Sequence, residues 1–186
     1  MTEIIWCLVI FAVAVLAYIN CLRGEFVFDD LLILESNRHA KETKMGASFR
    51  DLLNWMHGKR ALSLWTFRVS MVRHGMNTLG WHLPSVLLHA LTSDIVFFIL
   101  GYWFEDTAAG LGALIYTVHP LATAAVPYIS SRSSMLSSLF HMLTLLAFLA
   151  GDYWLLITPI TGYLGWKSKE EIINCLPVMA IVYWLG

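Results

Sequence analysis

The sequence predicts an all-α polytopic membrane protein, and three observations predict it. Of its 186 residues, 58% are hydrophobic and only 13% charged, where a soluble domain carries about 25% charged residues. The apolar residues come in blocks of roughly bilayer-spanning length. The basic residues are segregated, with nine of the twelve Lys and Arg between Arg23 and Leu79. A net charge of −1 argues against a nucleic-acid partner. Cys7, Cys21 and Cys175 are isolated in apolar segments, with no CxxC pattern, and read as inert thiols.

About six hydrophobic segments are expected within a single membrane domain, residues 1–186. Ile4 to Leu22 is the first span, close to the ~20 residues needed to cross the hydrocarbon. No Ala-x-Ala cleavage pattern follows it, so it reads as a retained helix rather than a removed signal. Residues 23–79 form a large basic loop containing interfacial helices. Ser48 and Asp51 make a Ser-x-x-Asp helix start, followed by Phe49, Leu52, Leu53 and Met56 at helical spacing. A second stripe, Leu62, Trp65, Val69 and Val72, faces away from Arg68 and Arg73, and Gly75 reads as a helix end. Two amphipathic helices lying in the membrane interface fit this pattern.

Residues 81–186 hold the other five segments. Trp81 to Trp103 is the second span, with Pro84 in its first turn. Thr107 to Val118 and Met135 to Ala150 are the third and fourth. Tyr153 to Trp166 is short enough to be re-entrant, and Ile172 to Leu185 is the sixth. If all six cross, every Lys and Arg lies on one side, and the positive-inside rule places that side in the cytoplasm.

The ionisable residues on that basic side form the candidate site. Asp29 and Asp30 follow the first span. His82 and His89, seven apart, share nearly one face of the second. His119 closes the third, Arg132 opens the fourth, and Lys169 and Glu170 precede the sixth. A carboxylate there could take a proton from an acceptor hydroxyl, while fixed cations stabilise a departing phosphate. The plainer alternatives are a solvated helix end for the acidic pair and an interfacial anchor for His82. Asp94, deeper in the second span, is assigned no chemistry. Strong metal spacing is absent, which leaves the metal unknown and a divalent cation open.

Five stretches, "GEFVFDD", "KRALSLWTFR", "HGMNTLGWHLPSVLLHAL", "TVHPLATAAVPYISSRSSMLSSLF" and "WKSKEEIINCLP", occur in this order. In order and wording the chain resembles the membrane half of the transmembrane and tetratricopeptide-repeat O-mannosyltransferases and their bacterial relatives, in the GT-C glycosyltransferase superfamily. The resemblance runs from about Gly24 to Pro177, without the repeat domain or the later spans. It implies a partial GT-C-like module that uses a polyprenyl-phosphate sugar donor and transfers the sugar with inversion to a hydroxyl, commonly protein Ser or Thr. It implies catalytic roles for Asp29 and Asp30, and substrate-binding roles for Arg60, Arg68, His82, His89, His119, Arg132, Lys169 and Glu170.

It also implies a multi-pass protein of the bacterial inner membrane or ER membrane. Its Asp29–Asp30 loop would be extracytoplasmic, against the charge rule. The expected partners are membrane lipid, the polyprenyl-phosphate donor, and a protein acceptor or partner subunit. The chain departs from the family where "HPVHTEAV" is usual and "HPLATAAV" stands, placing Ala122 and Ala124 for a His and an acid. Where "GRADLL" is usual, "SRSSML" places Ser134 for another acid. These losses keep a second reading open, a non-catalytic membrane subunit that binds a lipid or a partner protein.

Overall fold

The computed structural model describes residues 2–43 and 47–185. Helical segments make up 83% of it, and no strand occurs among the described residues. Among the described residues, three helices are long and apolar enough to cross a membrane: Thr2–Arg23, Thr78–Leu100 and Ile129–Ala150. At 1.5 Å per residue each measures about 33 Å, which matches a hydrocarbon core of ~30 Å.

Helix α1 (Thr2–Tyr18) tightens into a 3₁₀ turn, Ile19–Arg23, that ends at Gly24. A short extended stretch leads into α2 (Asp29–Thr43), and α3 (Phe49–Trp55) follows. The Ser48–Asp51 capping box is present in both directions, as its spacing predicts. Helix α4 (Ala61–His74) stops at Gly75, whose φ of 57° is where a helix end favours glycine. The buried face of α4 is not the expected Leu62–Val72 stripe. It is Ala61, Ser63, Phe67, Ser70 and Met71, because α4 packs against α2 and the start of the next span.

That span, α5 (Thr78–Leu100), begins three residues before the predicted Trp81, where the Asn77 side chain caps the Leu79 N–H. Pro84 therefore sits beyond the first turn. Helix α6 (Asp106–Thr117) has 12 residues, yet it runs beside α1. Its start is tied by the Thr2 hydroxyl to Asp106, and its end by the Tyr18 phenol to the Thr117 carbonyl. Gly110 permits the approach: a Cβ there would lie 2.4 Å from the Trp6 indole.

One turn of helix, α7 (Ala122–Ala125), and a 3₁₀ turn, Ile129–Ser131, lead into α8 (Arg132–Ala150). Helix α9 (Thr158–Ser168) returns antiparallel along α8. Thr144 donates to Thr161 at one level, and Ser137 donates to the Lys169 carbonyl at the other. Helix α10 (Cys175–Leu185) packs on α8 beside His141. Of the six expected segments, three therefore reach span length. The others form helices of 12, 11 and 11 residues.

The cores divide by depth. Ile10, Phe97, Ala109 and Ala113 pack together near one end of α1, α5 and α6. Tyr18, Val86, Val126 and Met135 form the middle. Leu34, Phe67, Met71, Trp81 and Ile129 join α2 and α4 to the other end of the spans. That end, where Arg23, Thr78 and Ile129 meet, is where the polar groups collect.

Candidate functional site

The acidic pair divides into two environments. Phe28 takes a left-handed backbone conformation (φ 48°), and α2 starts at Asp29. The pair is thus the first turn of a helix rather than part of an extended strand. Asp30 points inward and is 1% exposed. Its Oδ1 accepts the Ser130 N–H at 2.9 Å, and its Oδ2 accepts the Val27 N–H at 3.4 Å. Asp29 is exposed, and its backbone N–H donates to the Tyr128 phenol oxygen at 3.3 Å. Two carboxylates that look equivalent in sequence are a buried tie and a free head. Both sit at a helix N-terminus, where the backbone dipole favours negative charge.

Arg132 is buried beneath this turn. One amino group donates to the Thr66 carbonyl at 3.2 Å and the Ser70 hydroxyl at 2.9 Å, and the other to the Trp81 carbonyl at 2.6 Å. The guanidinium carbon lies 4.9 Å from the Phe67 ring centre and 5.5 Å from that of Trp81. With both amino groups committed and 1% of its surface exposed, Arg132 fastens α4, α5 and α8 together. The structure offers no open guanidinium face there for the expected phosphate.

His82 is equally buried at 1% exposed, stacked 6.5 Å from Phe26 and set against Gly24. Its ring nitrogens lie against the backbone of Gly24 and Pro127. It belongs to this inner cluster and not to the exposed surface.

His89 lies in another place. Its Nε2–H donates to the Thr117 carbonyl at 2.8 Å, with the ring between Tyr18 and Tyr116. It lines a cavity of about 460 Å³ bounded by the end of α6, α7 and α8. His119 lines it as well; this side chain is exposed, and its Nδ1 accepts the Leu121 N–H. Leu121, Ala125, Val126 and Met135 make much of the wall apolar. Ala122 and Ser134, two of the positions that depart from the resembled family, face the same space.

Ser134 also links this cavity to the third group. The Lys169 ammonium donates to the Ser134 hydroxyl at 2.9 Å and pairs with Glu171. Its neighbour Glu170 pairs with Arg60 at 3.0 Å. The Glu170 carboxyl is held below its usual value, first by its own backbone N–H and then by the Arg60 guanidinium. Arg60 itself stands at a left-handed φ of 52°. Arg68 donates to Asn37 at 3.3 Å, joining α4 to α2.

The predicted residues therefore gather near one end of the spans, but as separate groups. Asp30, His82 and Arg132 form a buried cluster; His89 and His119 line the cavity; Arg60, Lys169 and Glu170 form a paired rim. Tyr128 and Ser130, which hold the acidic turn, were missed by the sequence reading. Their only signal was a place in the quoted "PYISSR" stretch. Among the described residues no group of three His, Cys, Asp or Glu gathers to hold a metal ion.

Fold and site define an all-α membrane protein with its polar groups at one end of its long helices. No family model matches the chain, and no solved structure matches it. In sequence it resembles protein O-mannosyl-transferases. A relative from Caenorhabditis elegans is 24% identical over 96% of this chain and 28% of its own length. Protein O-mannosyl-transferase TMTC4 from Homo sapiens is 27% identical over 94% of this chain and 28% of its own length. TMTC1 from Mus musculus is 30% identical over 72% of this chain and 15% of its own length. The chain thus spans less than a third of the relatives it matches.

Proposed function

We propose that residues 1–186 form one membrane domain carrying the catalytic centre of a sugar transferase, with Asp29 as general base. The observation that carries this reading is the division of the acidic pair. Asp30 is consumed by the fold, while Asp29 is exposed and held through its backbone by Tyr128. In the chain, Val126 and Ser134 of the neighbouring cavity flank the Tyr128–Ser130 stretch that holds the pair. The names of the relatives support mannosyl transfer to protein, and the resemblance supports a polyprenyl-phosphate donor on the extracytoplasmic side.

In this reaction the acceptor hydroxyl oxygen attacks the anomeric carbon of the sugar. The bond from that carbon to the phosphate oxygen breaks, and its electron pair leaves on the polyprenyl phosphate. Asp29 takes the hydroxyl proton, and the configuration inverts. Lys169 and Arg60 provide the cations for the phosphate, and the apolar cavity wall accepts the first carbons of the polyprenyl chain. His119 stands at the cavity as a hydrogen-bonding group toward the sugar.

The test is transfer of labelled mannose from a polyprenyl-phosphate donor to a Ser/Thr peptide, in membranes containing the chain. Asp29→Asn abolishes transfer with helicity unchanged, whereas Asp30→Asn lowers thermal stability as well. Equal transfer by wild type and Asp29→Asn overturns the assignment.

One observation favours a second reading, a non-catalytic subunit that binds lipid or a partner. Ala122 and Ser134 line the cavity where the resembled family carries a His and an acid. That reading predicts no transfer by wild type, together with a stable copurifying protein or lipid.

A further inference from the structure

Four apolar side chains project from the outside of the acidic turn. Val27 is 43% exposed, Phe28 84%, Leu31 55% and Leu32 69%. Phe28, Leu31, Leu32 and Glu35 follow i, i+3, i+4, i+7 spacing and share one face of the α2 start. The opposite face, with Asp30, Leu34 and Asn37, is buried against the protein. An outward apolar tip of this kind needs a cover, and its place in the fold says which.

All three span-length helices terminate beside it. Five residues separate Arg23, at the end of the first span, from Asp29. Gly24 touches His82 in the second turn of α5, and Asp30 bonds to Ser130 at the head of the third span. The tip therefore lies beside the shared end of the three span-length helices. Polarity then changes along the same helix: Glu35, Ser36 and Arg38 are exposed one to two turns later. At 1.5 Å per residue, Phe28 to Glu35 covers about 10 Å, comparable to the ~5–10 Å depth to which interfacial apolar faces sink.

We propose that Val27, Phe28, Leu31 and Leu32 form a wedge that inserts into the bilayer beside the spans and sets the depth of Asp29. The occupant of this surface is phospholipid. The left-handed backbone at Phe28 belongs to the device. A bulky residue at positive φ is strained, and here it turns the phenyl outward while the next residue enters the helix. The Asp30 carboxylate on Val27 and Ser130, and Tyr128 on Asp29, hold that conformation from inside. The wedge stands on exposure and position alone, and it holds for a transferase and for a binding subunit equally.

Two measurements on the full chain in phosphatidylcholine nanodiscs test it. In the first, the wild-type protein is photolysed with a phosphatidylcholine bearing a headgroup-proximal diazirine, and fragments of the Gly24–Arg38 peptide are mapped by mass spectrometry. Labelling falls on residues 27–32 and is several-fold weaker from Glu35 to Arg38. In the second, Cys7, Cys21 and Cys175 are replaced by Ala, and an NBD probe is attached to Phe28→Cys, Leu32→Cys or Ser36→Cys. Shallow doxyl lipids quench the first two several-fold more than the third. Uniform labelling or quenching along the peptide overturns the wedge. So does a chain-to-chain crosslink through this peptide, which would make the tip a self-association surface.

Discussion

Replacing Arg132 by Met is the most demanding test of the inner cluster, because it keeps the apolar stem and removes only the fork. The guanidinium makes three hydrogen bonds from two amino groups and lies over two rings. Hydrogen bonds to a charged group contribute about 1.5–3 kcal/mol each, and a partly desolvated cation–π contact ~1–2 kcal/mol. Burying the charge opposes these by several kcal/mol. The substitution also leaves the Thr66 and Trp81 carbonyls and the Ser70 hydroxyl without their donor. Each buried acceptor left unsatisfied costs about 1–3 kcal/mol, and a net loss of roughly 3 kcal/mol is expected for Arg132→Met. Reversible unfolding in mixed micelles, followed by tryptophan fluorescence, measures it. The double variant Ser70→Ala/Arg132→Met should lose less than the sum of the singles, because the two side chains bond to each other. A loss below about 0.5 kcal/mol, typical of a surface site, would refute the claim that Arg132 fastens the three helices. It would return the residue to the substrate-binding role expected from sequence.

Three further outcomes follow from the same geometry. Tyr128→Phe removes the acceptor of the Asp29 N–H; it should cost about 0.5–1.5 kcal/mol and speed amide exchange at Asp29 while leaving the α8 core protected. Gly110→Val drives a side chain into the Trp6 indole and should destabilise the α1–α6 contact by about 1–3 kcal/mol, read as a lower unfolding midpoint with unchanged helicity. The folded Glu170 carboxyl lies below its ordinary 4.5. Its contribution is therefore complete above that value and is lost as pH falls through the depressed one. Amide exchange at the start of α4 should rise on that acid limb, and Glu170→Gln should flatten the response.

What could be read ahead of the structure was what depends on neighbours in the chain. The Ser48–Asp51 box and the Gly75 stop are local devices, and both stand where their spacing puts them. The three long spans were legible because a run of apolar residues has one stable use in lipid. The buried face of α4 was not legible. Its Leu62–Val72 stripe is the more apolar on paper, but the positions of Arg132 and Trp81 make Phe67 and Met71 face inward. Those partners come from elsewhere in the chain, and hydrophobic spacing carries no information about them. The same limit governs the acidic pair. Asp29 and Asp30 are alike as residues, and only the arrival of Ser130 and Tyr128 distinguishes a structural carboxylate from an exposed one. Arg132 was legible as important but its partners were not, since a buried guanidinium and a phosphate clamp look identical in sequence.

The bond from Asp30 to Ser130 spans 100 residues, and this separation has a consequence for how the protein is made. A ribosome delivers the chain in order, so α1 enters the bilayer long before α6 exists to cover Ile10 and Ala14. The Asp30 carboxylate waits, hydrated, until the head of α8 emerges. The turn that presents Asp29 thus waits on a partner 100 residues downstream. A nascent chain halted ahead of Ser130 would hold its first span in lipid, with the acidic turn still unset.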